Sequence, residues 1–225
     1  MSEDNNINIT INDQSVSVPK GTLVVEAAKQ IGIEIPVFCY HEKLGPFGCC
    51  RMCLVEVEKM PKLTTACTQT VMPDMVVKTG SPKVVKAQQG VLEFTLLNHP
   101  LDCPVCDKGG ECPLQNNTFK YGPGDTRMEF ERANRDKATP LSPVITIDRE
   151  RCIACQRCTR YSDIIEQESA LVMLNRGVNR SEERRVGIEC RCRWSADDEE
   201  TKQERELKHQ SQSTSRQEQG MRCRR

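Results

Sequence analysis

The chain has 225 residues, enough for one large or two to three small domains, and its 4% aromatic content argues against one large aromatic core. Its 32 basic residues equal its 32 acidic residues, so overall charge gives no reason to expect nucleic acid or an anionic membrane as partner. No apolar run approaches the ~18 residues of a membrane span. The acidic start, from Met1 to Asn6, also leads us to expect no secretory signal.

Fourteen cysteines are the most unusual feature of the composition. Without a secretory signal we expect a reducing compartment, where disulfides are rare and metal ligation is the main reason to keep many thiols. The alternative is that the cysteines are ordinary small buried residues, and their clustering in short-spaced groups argues against it. Metal ligation would also help small domains with thin cores to fold.

Residues 1–80 predict a small β-grasp-like domain. Isoleucines that alternate with polar residues near the N-terminus predict a first strand, and Val16 begins a second after a polar turn. A helix is predicted between Gly21 and the stop residue Gly32. A loop rich in Cys, Gly and Pro follows over residues 36–53. The remaining strands of this domain are predicted at residues 54–57 and 75–77.

The next helix is predicted to begin at Ser81, a capping residue followed by Pro, and to end near Asn98 because Pro100 follows. A short helix is predicted to begin around Pro113, within a second Cys-rich loop. We therefore expect an α+β chain. Its parts are a β-grasp-like domain (1–80), a His-Cys segment (81–124), a polar connector (125–143), a third Cys module (144–179) with strands at 144–147 and 171–174, and a tail (180–225).

The tail differs in character from the rest of the chain. Its 46 residues include 12 basic and 10 acidic residues, with almost no apolar periodicity. Such a segment cannot bury much surface, so we expect disorder, although the pattern allows a helix over residues 197–209.

The first cysteine group suits a 2Fe-2S cluster. Cys50 and Cys53 form a C-x2-C pair, with Cys39 eleven residues before it and Cys67 fourteen residues after it. Four thiolates that converge from a loop and a later strand suit this cluster type, and a tetrahedral zinc site is the competing interpretation. Cys49 is one thiol too many, and we interpret it as a non-ligand.

The second group combines His99 with Cys103, Cys106 and Cys112. A histidine near a helix end is usually a cap or a surface residue, but three clustered thiols nearby favour a ligand role. A set of one His and three Cys also occurs at zinc sites, so the ligand types do not decide the metal.

The third group, Cys152, Cys155 and Cys158, has C-x2-C-x2-C spacing, the most specific signal in the chain. Three thiols so spaced bind three corners of a 4Fe-4S cluster, and zinc sites rarely use this pattern. A fourth ligand must come from a distant position. The remaining candidates all lie in the tail, at Cys190, Cys192 and Cys223.

Together these motifs resemble a known family. Residues 1–179 are similar to the N-terminal part of the large iron–sulfur subunit (named G) of bacterial NADH-quinone oxidoreductase (respiratory complex I). Family members continue into a fourth cluster ligand and a large molybdopterin-oxidoreductase-like domain. Residues 180–225 do not resemble the family and are interpreted as an artefactual or disordered tail. The matching stretches are residues 35–41, 50–57, 99–115 and 147–158.

The resemblance implies a 2Fe-2S ferredoxin-like β-grasp domain, a helical 4Fe-4S segment with one His and three Cys ligands, and a partial 4Fe-4S ferredoxin-like module. It also implies the ligands of the three clusters. It implies a 2Fe-2S cluster on Cys39, Cys50, Cys53 and Cys67, a 4Fe-4S cluster on His99, Cys103, Cys106 and Cys112, and a second 4Fe-4S cluster that uses Cys152, Cys155 and Cys158.

The function implied is electron relay within an oxidoreductase and translocase complex, from a flavin and NADH-binding subunit toward quinone. The sequence has no nucleotide-cradling glycine motif and no nucleophile–base pair, so we expect no catalytic residues in this chain. The resemblance also implies partners in the peripheral arm of the complex, on the cytoplasmic side of the cell membrane. It implies neither insertion into lipid nor binding to nucleic acid.

Two other functions compete with this interpretation. The small electron-transfer (diaphorase) subunit of NAD-reducing hydrogenase and some formate dehydrogenase subunits share this N-terminal iron–sulfur region. The residue sequence of the second motif, however, favours complex I. A multi-zinc structural or nucleic-acid-binding module is disfavoured by neutral charge, scarce aromatic residues and the third cysteine group.

Overall fold

The computed structural model describes residues 6–140, 143–144, 146–175, 177 and 181–184, the last four for their backbone only. A five-stranded mixed sheet forms the first part of the chain. Its strands are β1 (Asn6–Ile11), β2 (Gln14–Pro19), β3 (Leu54–Val57), β4 (Thr64–Thr65) and β5 (Val76–Lys78). They lie in the order β2, β1, β5, β3, β4. The pair β1–β5 is parallel and the other neighbours are antiparallel.

The predicted N-terminal hairpin is confirmed. Ile9 lies opposite Val16, and only two residues, Asn12 and Asp13, make the turn. Their φ angles are 45° and 67°, and Asn and Asp tolerate this left-handed conformation better than most residues. The tight turn holds the alternating isoleucines in register, so that Ile9 and Ile11 both face the core.

Helix α1 (Val24–Gln30) packs on this sheet and completes the first core. The helix begins later than the predicted opening at Gly21, since its first helical residue is Val24. Apolar residues from the helix and from four of the five strands are buried together. They include Ile9, Ile11, Val18, Val24, Ala27, Ala28, Val55 and Val77.

Helix α2 (Pro82–Leu96) connects this domain to the second cysteine loop. The predicted cap is confirmed, because the Ser81 hydroxyl accepts a hydrogen bond of 3.3 Å from the amide of Val84. Its buried face carries Gln88, whose amide donates a 3.2 Å hydrogen bond to the Leu54 carbonyl in β3. Helix α3 (Pro113–Tyr121) also begins where the sequence predicts.

Leu92 of α2 and Leu114 of α3 meet Phe38 and Met52 of the first cysteine loop in a second buried cluster, which we call the junction cluster. This cluster connects the first domain with the two helices.

The third part of the chain is built from short elements. These are β6 (Thr139–Pro140), β7 (Thr146–Ile147), helix α4 (Arg157–Ile164), β8 (Leu171–Leu174) and β9 (Ser181–Arg184). The strands form two antiparallel pairs, β6–β7 and β8–β9.

Three predictions for this part need correction. The strand predicted at 144–147 is shorter, the connector contains β6, and β9 lies within the tail for which the composition predicts disorder. The structure pairs β9 with β8, and this long-range pairing has no local sequence signal. The helix allowed over 197–209 lies outside the described residues, as do the tail cysteines. The α+β class is confirmed.

Within the described residues, no helix combines the length and apolar character needed to cross a membrane.

Removing the Leu92 side chain tests the junction cluster. Leu92 is fully buried, so Leu92→Ala should cost about 2–5 kcal/mol and lower the melting temperature by ~4 °C or more in a chain of this size. Thermal unfolding of the anaerobic, cluster-loaded chain measures this change. Phe94→Ala on the same helix is the control, because Phe94 is 80% exposed and its loss should have little effect. Equal decreases of the melting temperature in the two variants would contradict the role of Leu92 in the junction cluster.

Candidate iron–sulfur sites

The first site lies where the loop after α1 meets the start of β3. Cys39, Cys53 and Cys67 are fully buried and Cys50 is half-buried. A 2.9 Å hydrogen bond from the Ala66 amide to the Cys53 carbonyl holds the segments of Cys53 and Cys67 side by side. The chain thus brings its four predicted ligands to one buried place.

The thiols of the first site are in mutual contact. Hydrogen bonds from Cys49 and Cys50 lower the pKa of the Cys39 thiol, and the bond with Cys39 raises the pKa of Cys50. Hydrogen bonds with Cys39 and Cys53 raise the pKa of Cys67, while the bond with Cys67 lowers the pKa of Cys53. Neighbouring thiols that share protons titrate together, so this site should release several protons together when its thiols bind a metal centre.

Cys49 differs from the other four thiols in its exposure and its second contact. It is exposed, and its thiol lies 3.8 Å from the carbonyl oxygen of Cys155 in the third group. The structure therefore places Cys49 between the first and third groups. Its closeness to Cys39 could not be inferred from spacing, which marked Cys49 only as a surplus thiol.

A glycine shapes this loop. Gly48 has a φ of 74°, and a Cβ at this position would lie 2.9 Å from the Thr68 methyl carbon. Any other residue would combine a strained backbone with a clash, so Gly48 allows the loop to approach the segment that follows β4.

The second site is a cavity of about 210 Å³ that all four predicted ligands line. His99 lies just beyond α2, Cys103 begins a short 3-10 turn, and Cys112 caps α3. The tight wrap depends on Gly109, where a Cβ would lie 2.8 Å from the Cys103 carbonyl oxygen. The lining ligands are His99, Cys103, Cys106 and Cys112.

The environment of His99 favours the neutral imidazole. Burial lowers the pKa of His99, and the nearby Arg132 guanidinium lowers it further. Arg132 donates hydrogen bonds to the carbonyls of His99 and Leu96, the latter at 3.0 Å. A neutral imidazole keeps a lone pair for a metal, so the residue is in the protonation state that ligation needs.

A network of charged side chains joins the second site to the third. Asp102 lies 2.5 Å from the ammonium of Lys137 and 3.2 Å from the guanidinium of Arg151. Lys137 also contacts the buried carboxylate of Glu150 at 2.9 Å, and Arg151 contacts Asp148 at 3.2 Å. Because Arg151 immediately precedes Cys152, the network ties the two cysteine loops together.

The third group is more open. Cys155 is half-buried, whereas Cys152 and Cys158 are exposed. Ala154 and Gln156 have φ angles of 53° and 60°, and the Ala154 amide donates a 3.3 Å hydrogen bond to the Cys152 sulfur. This backbone conformation directs the Ala154 amide toward the sulfur of Cys152, a predicted ligand, and such hydrogen bonds stabilise thiolates.

All three groups contact the junction cluster through one thiol each. Cys50, Cys112 and Cys155 pack against it. A cleft of about 530 Å³ also carries residues of every group on its wall, including Cys50, His99 and Cys152. Among the described residues, no three or more His, Cys, Asp or Glu side chains converge on the position of a single metal ion.

Sequence reasoning missed two arginines at the first site. Arg157 and Arg160 of α4 donate hydrogen bonds to carbonyls of the first cysteine loop, including those of Tyr40 and Cys39. Their position just after the third cysteine group gives no hint of this distant contact.

Three family models match the chain in the order of its cysteine groups. A 2Fe-2S iron-sulfur cluster binding domain matches residues 4–82, and an NADH-ubiquinone oxidoreductase-G iron-sulfur binding region matches residues 88–127. The ferredoxin-like domain of NADH-quinone oxidoreductase subunit 3 matches residues 142–207, so the similarity extends past Asn179, the predicted end of the resemblance. These domains indicate a 2Fe-2S cluster and 4Fe-4S binding regions, as predicted.

Curated relatives of this chain are also named as subunits of NADH-quinone oxidoreductases. A relative from Streptomyces coelicolor, the NADH-quinone oxidoreductase subunit named G, is 51% identical over 173 residues, which are 76% of this chain and 20% of the relative. Subunit 3 of the Thermus thermophilus enzyme is 42% identical and covers 77% of this chain and 26% of the relative. A solved structure of NAD+-reducing NiFe hydrogenase, in the H2-reduced state, is 28% identical with a TM-score of 0.71, over 79% of this chain and 74% of that one.

The chain spans about a quarter or less of the length of these two curated relatives. Over about three quarters of its length, the chain is therefore similar to subunits G and 3 of NADH-quinone oxidoreductases, and its family models indicate iron–sulfur binding domains.

Proposed function

We propose that this chain is an electron-relay segment of an NADH-quinone oxidoreductase, and that it passes electrons from a flavin and NADH-binding subunit toward quinone. The observation that carries the proposal is the junction cluster, against which one thiol of each cysteine group packs. Electron tunnelling weakens steeply with distance, so a relay needs its redox centres close together. A chain that only stored metal or bound zinc would have no need for this arrangement.

The ligand sets proposed are those implied by the family resemblance. The contacting thiols of the first site fit a 2Fe-2S cluster, and the second cavity, with three thiols and a neutral imidazole, fits a 4Fe-4S cluster. When bound, such clusters accept and release single electrons. The ligands proposed are Cys39, Cys50, Cys53 and Cys67 for the first cluster, His99, Cys103, Cys106 and Cys112 for the second, and Cys152, Cys155 and Cys158 for a third, whose fourth ligand is missing or unknown.

The protein's own contribution is to exclude water and to adjust charge. Buried thiols at the first site keep the ligands away from solvent, and neutral His99 replaces a thiolate at the second. Local charge, hydrogen bonds and exposure set the reduction potential of a cluster, so these features tune the relay.

The proposed domains are 1–80, 81–124 and 144–179, with a connector over 125–143 and a tail over 180–225, of which residues 180–207 are included in the match to the third family model. The first is proposed as a β-grasp ferredoxin-like domain, supported by the mixed sheet and α1. The proposed partners are other peripheral-arm subunits, which would hold the chain at the cytoplasmic side of the cell membrane without contact with lipid or nucleic acid. NADH oxidation and quinone reduction would take place in those partners.

A second candidate is the electron-transfer subunit of an NAD-reducing hydrogenase. It is favoured by the likeness to the solved hydrogenase, whose chain this protein covers to 74%. The identity of 28% is lower than the 51% to the Streptomyces coelicolor relative, which supports the first proposal.

Counting iron and sulfide in anaerobically prepared protein tests the function. We expect brown protein with about six irons and six sulfides for the first two clusters, about ten of each with the third, and EPR signals of both cluster types on reduction. Stoichiometric zinc without acid-labile sulfide would show a structural zinc protein and overturn the proposal.

Replacing the two adjacent thiols separately tests the ligand set of the first site. Cys50→Ser should abolish the 2Fe-2S EPR signal, because it removes a half-buried ligand. Cys49→Ser should keep the signal and the iron count, because Cys49 is exposed and proposed as a non-ligand. The opposite pattern would assign Cys49 to the cluster.

The charge network generates a prediction for the second site. Asp102→Asn leaves Lys137 and Arg151 without a shared carboxylate, so the His99 loop should loosen and iron should pass to a chelator severalfold faster. Asp107→Asn is the matched control, since it removes the same charge from an exposed position in the same loop. Equal release rates in the two variants would show that the network does not hold the site.

A further inference from the structure

Helix α4 places a buried arginine directly behind a ligand of the first site. The Arg160 side chain is 7% exposed, and its guanidinium donates hydrogen bonds to the carbonyls of Cys39 at 3.0 Å and Gly45 at 2.9 Å. A further bond goes to the Leu44 carbonyl. The Phe47 ring covers the guanidinium, with its centroid 4.6 Å away.

The charge of Arg160 has no carboxylate partner within the described part of the chain, where none of the ion pairs involves this residue. Carbonyl oxygens satisfy its N–H groups but carry only partial charges. A buried guanidinium without a counter-charge is costly, so the fold holds a positive charge that needs an anion nearby.

The 2Fe-2S cluster proposed above would be that anion. Four thiolates and two sulfides outweigh the charge of the irons, and the Cys39 thiolate belongs to the residue whose carbonyl Arg160 binds. Reduction adds one electron from the upstream donor and no proton, so the reduced cluster has one more negative charge. A fixed positive charge therefore favours the reduced form.

We propose that Arg160 is a positioning residue that supplies the counter-charge of the first cluster and raises its reduction potential. This inference rests on the proposed function, since it needs a cluster on Cys39, Cys50, Cys53 and Cys67. Arg160 acts from the segment of the third cysteine group, two residues after Cys158, so the environment of one cluster is set by the segment that ligates another.

The test compares Arg160→Gln with Lys43→Gln in the anaerobic, cluster-loaded chain. Lys43 is an exposed residue of the loop that Arg160 binds, so the control removes the same charge from the same region without breaking side-chain contacts. Redox titration followed by the 2Fe-2S EPR signal should show a lower potential in Arg160→Gln, with a change of tenfold or more in the reduction equilibrium, or ~59 mV for one electron. Lys43→Gln should change it less than threefold.

A second variant separates charge from packing. Arg160→Lys keeps the positive charge but loses the planar guanidinium. The equilibrium constant for reduction of its 2Fe-2S cluster should therefore stay within threefold of the wild-type value. A full signal at unchanged potential in Arg160→Gln would overturn the proposal. If Arg160→Gln assembles no 2Fe-2S cluster, Arg160→Lys decides: a signal near the wild-type potential supports the proposal, and a shifted or absent signal assigns Arg160 a packing role only.

The wild-type chain serves as the check on the underlying function. Without a 2Fe-2S signal in the wild type, the proposed function itself fails. A wild-type signal together with an unaltered Arg160→Gln potential removes only the role of Arg160.

Discussion

The arrangement of the three sites depends on apolar contact within the junction cluster. Three of its four buried members are direct or near neighbours of proposed ligands: Phe38 precedes Cys39, Met52 precedes Cys53, and Leu114 follows Cys112 by two positions. Hydrophobic burial has no preferred direction and cannot aim a thiol by itself. However, the apolar residues belong to short loops of restricted conformation, so their burial brings each loop to the same place. Leu92 of helix α2 is the fourth buried member of the cluster.

Features determined by neighbouring residues could be predicted from the sequence. The first hairpin, the Ser81 cap and the start of α3 all agree with the structure, because turn and cap chemistry acts over two to four residues. The second cysteine group is similar: His99 and the three thiols lie within fourteen residues, and Gly109 lets the loop close on itself. Short spacing made the shared cavity predictable.

Features that join distant segments could not be predicted. Arg160 and Cys39 are 121 residues apart, and no periodicity or spacing connects them. The pairing of β9 with β8 depends on backbone hydrogen bonds, which are indifferent to side-chain identity, so a charged segment expected to be disordered could supply a strand. Cys49 shows the same limit, since its contacts reach Cys39 and Cys155, ten and 106 residues away. Only the fold brings these groups together.

Burial decides how strongly charges act at each site. Electrostatic effects grow as water is excluded, so a charge beside the enclosed thiols of the first site has more influence than one beside exposed Cys152 and Cys158. The third group is nevertheless not independent of the first. Arg157 and Arg160 fasten its helix to the first cysteine loop through hydrogen bonds that need no cluster in the third site. The hydrogen bonds of these two arginines therefore hold the helix that contains Cys158 against the first site, so the position of the third group depends on the loop that carries Cys39.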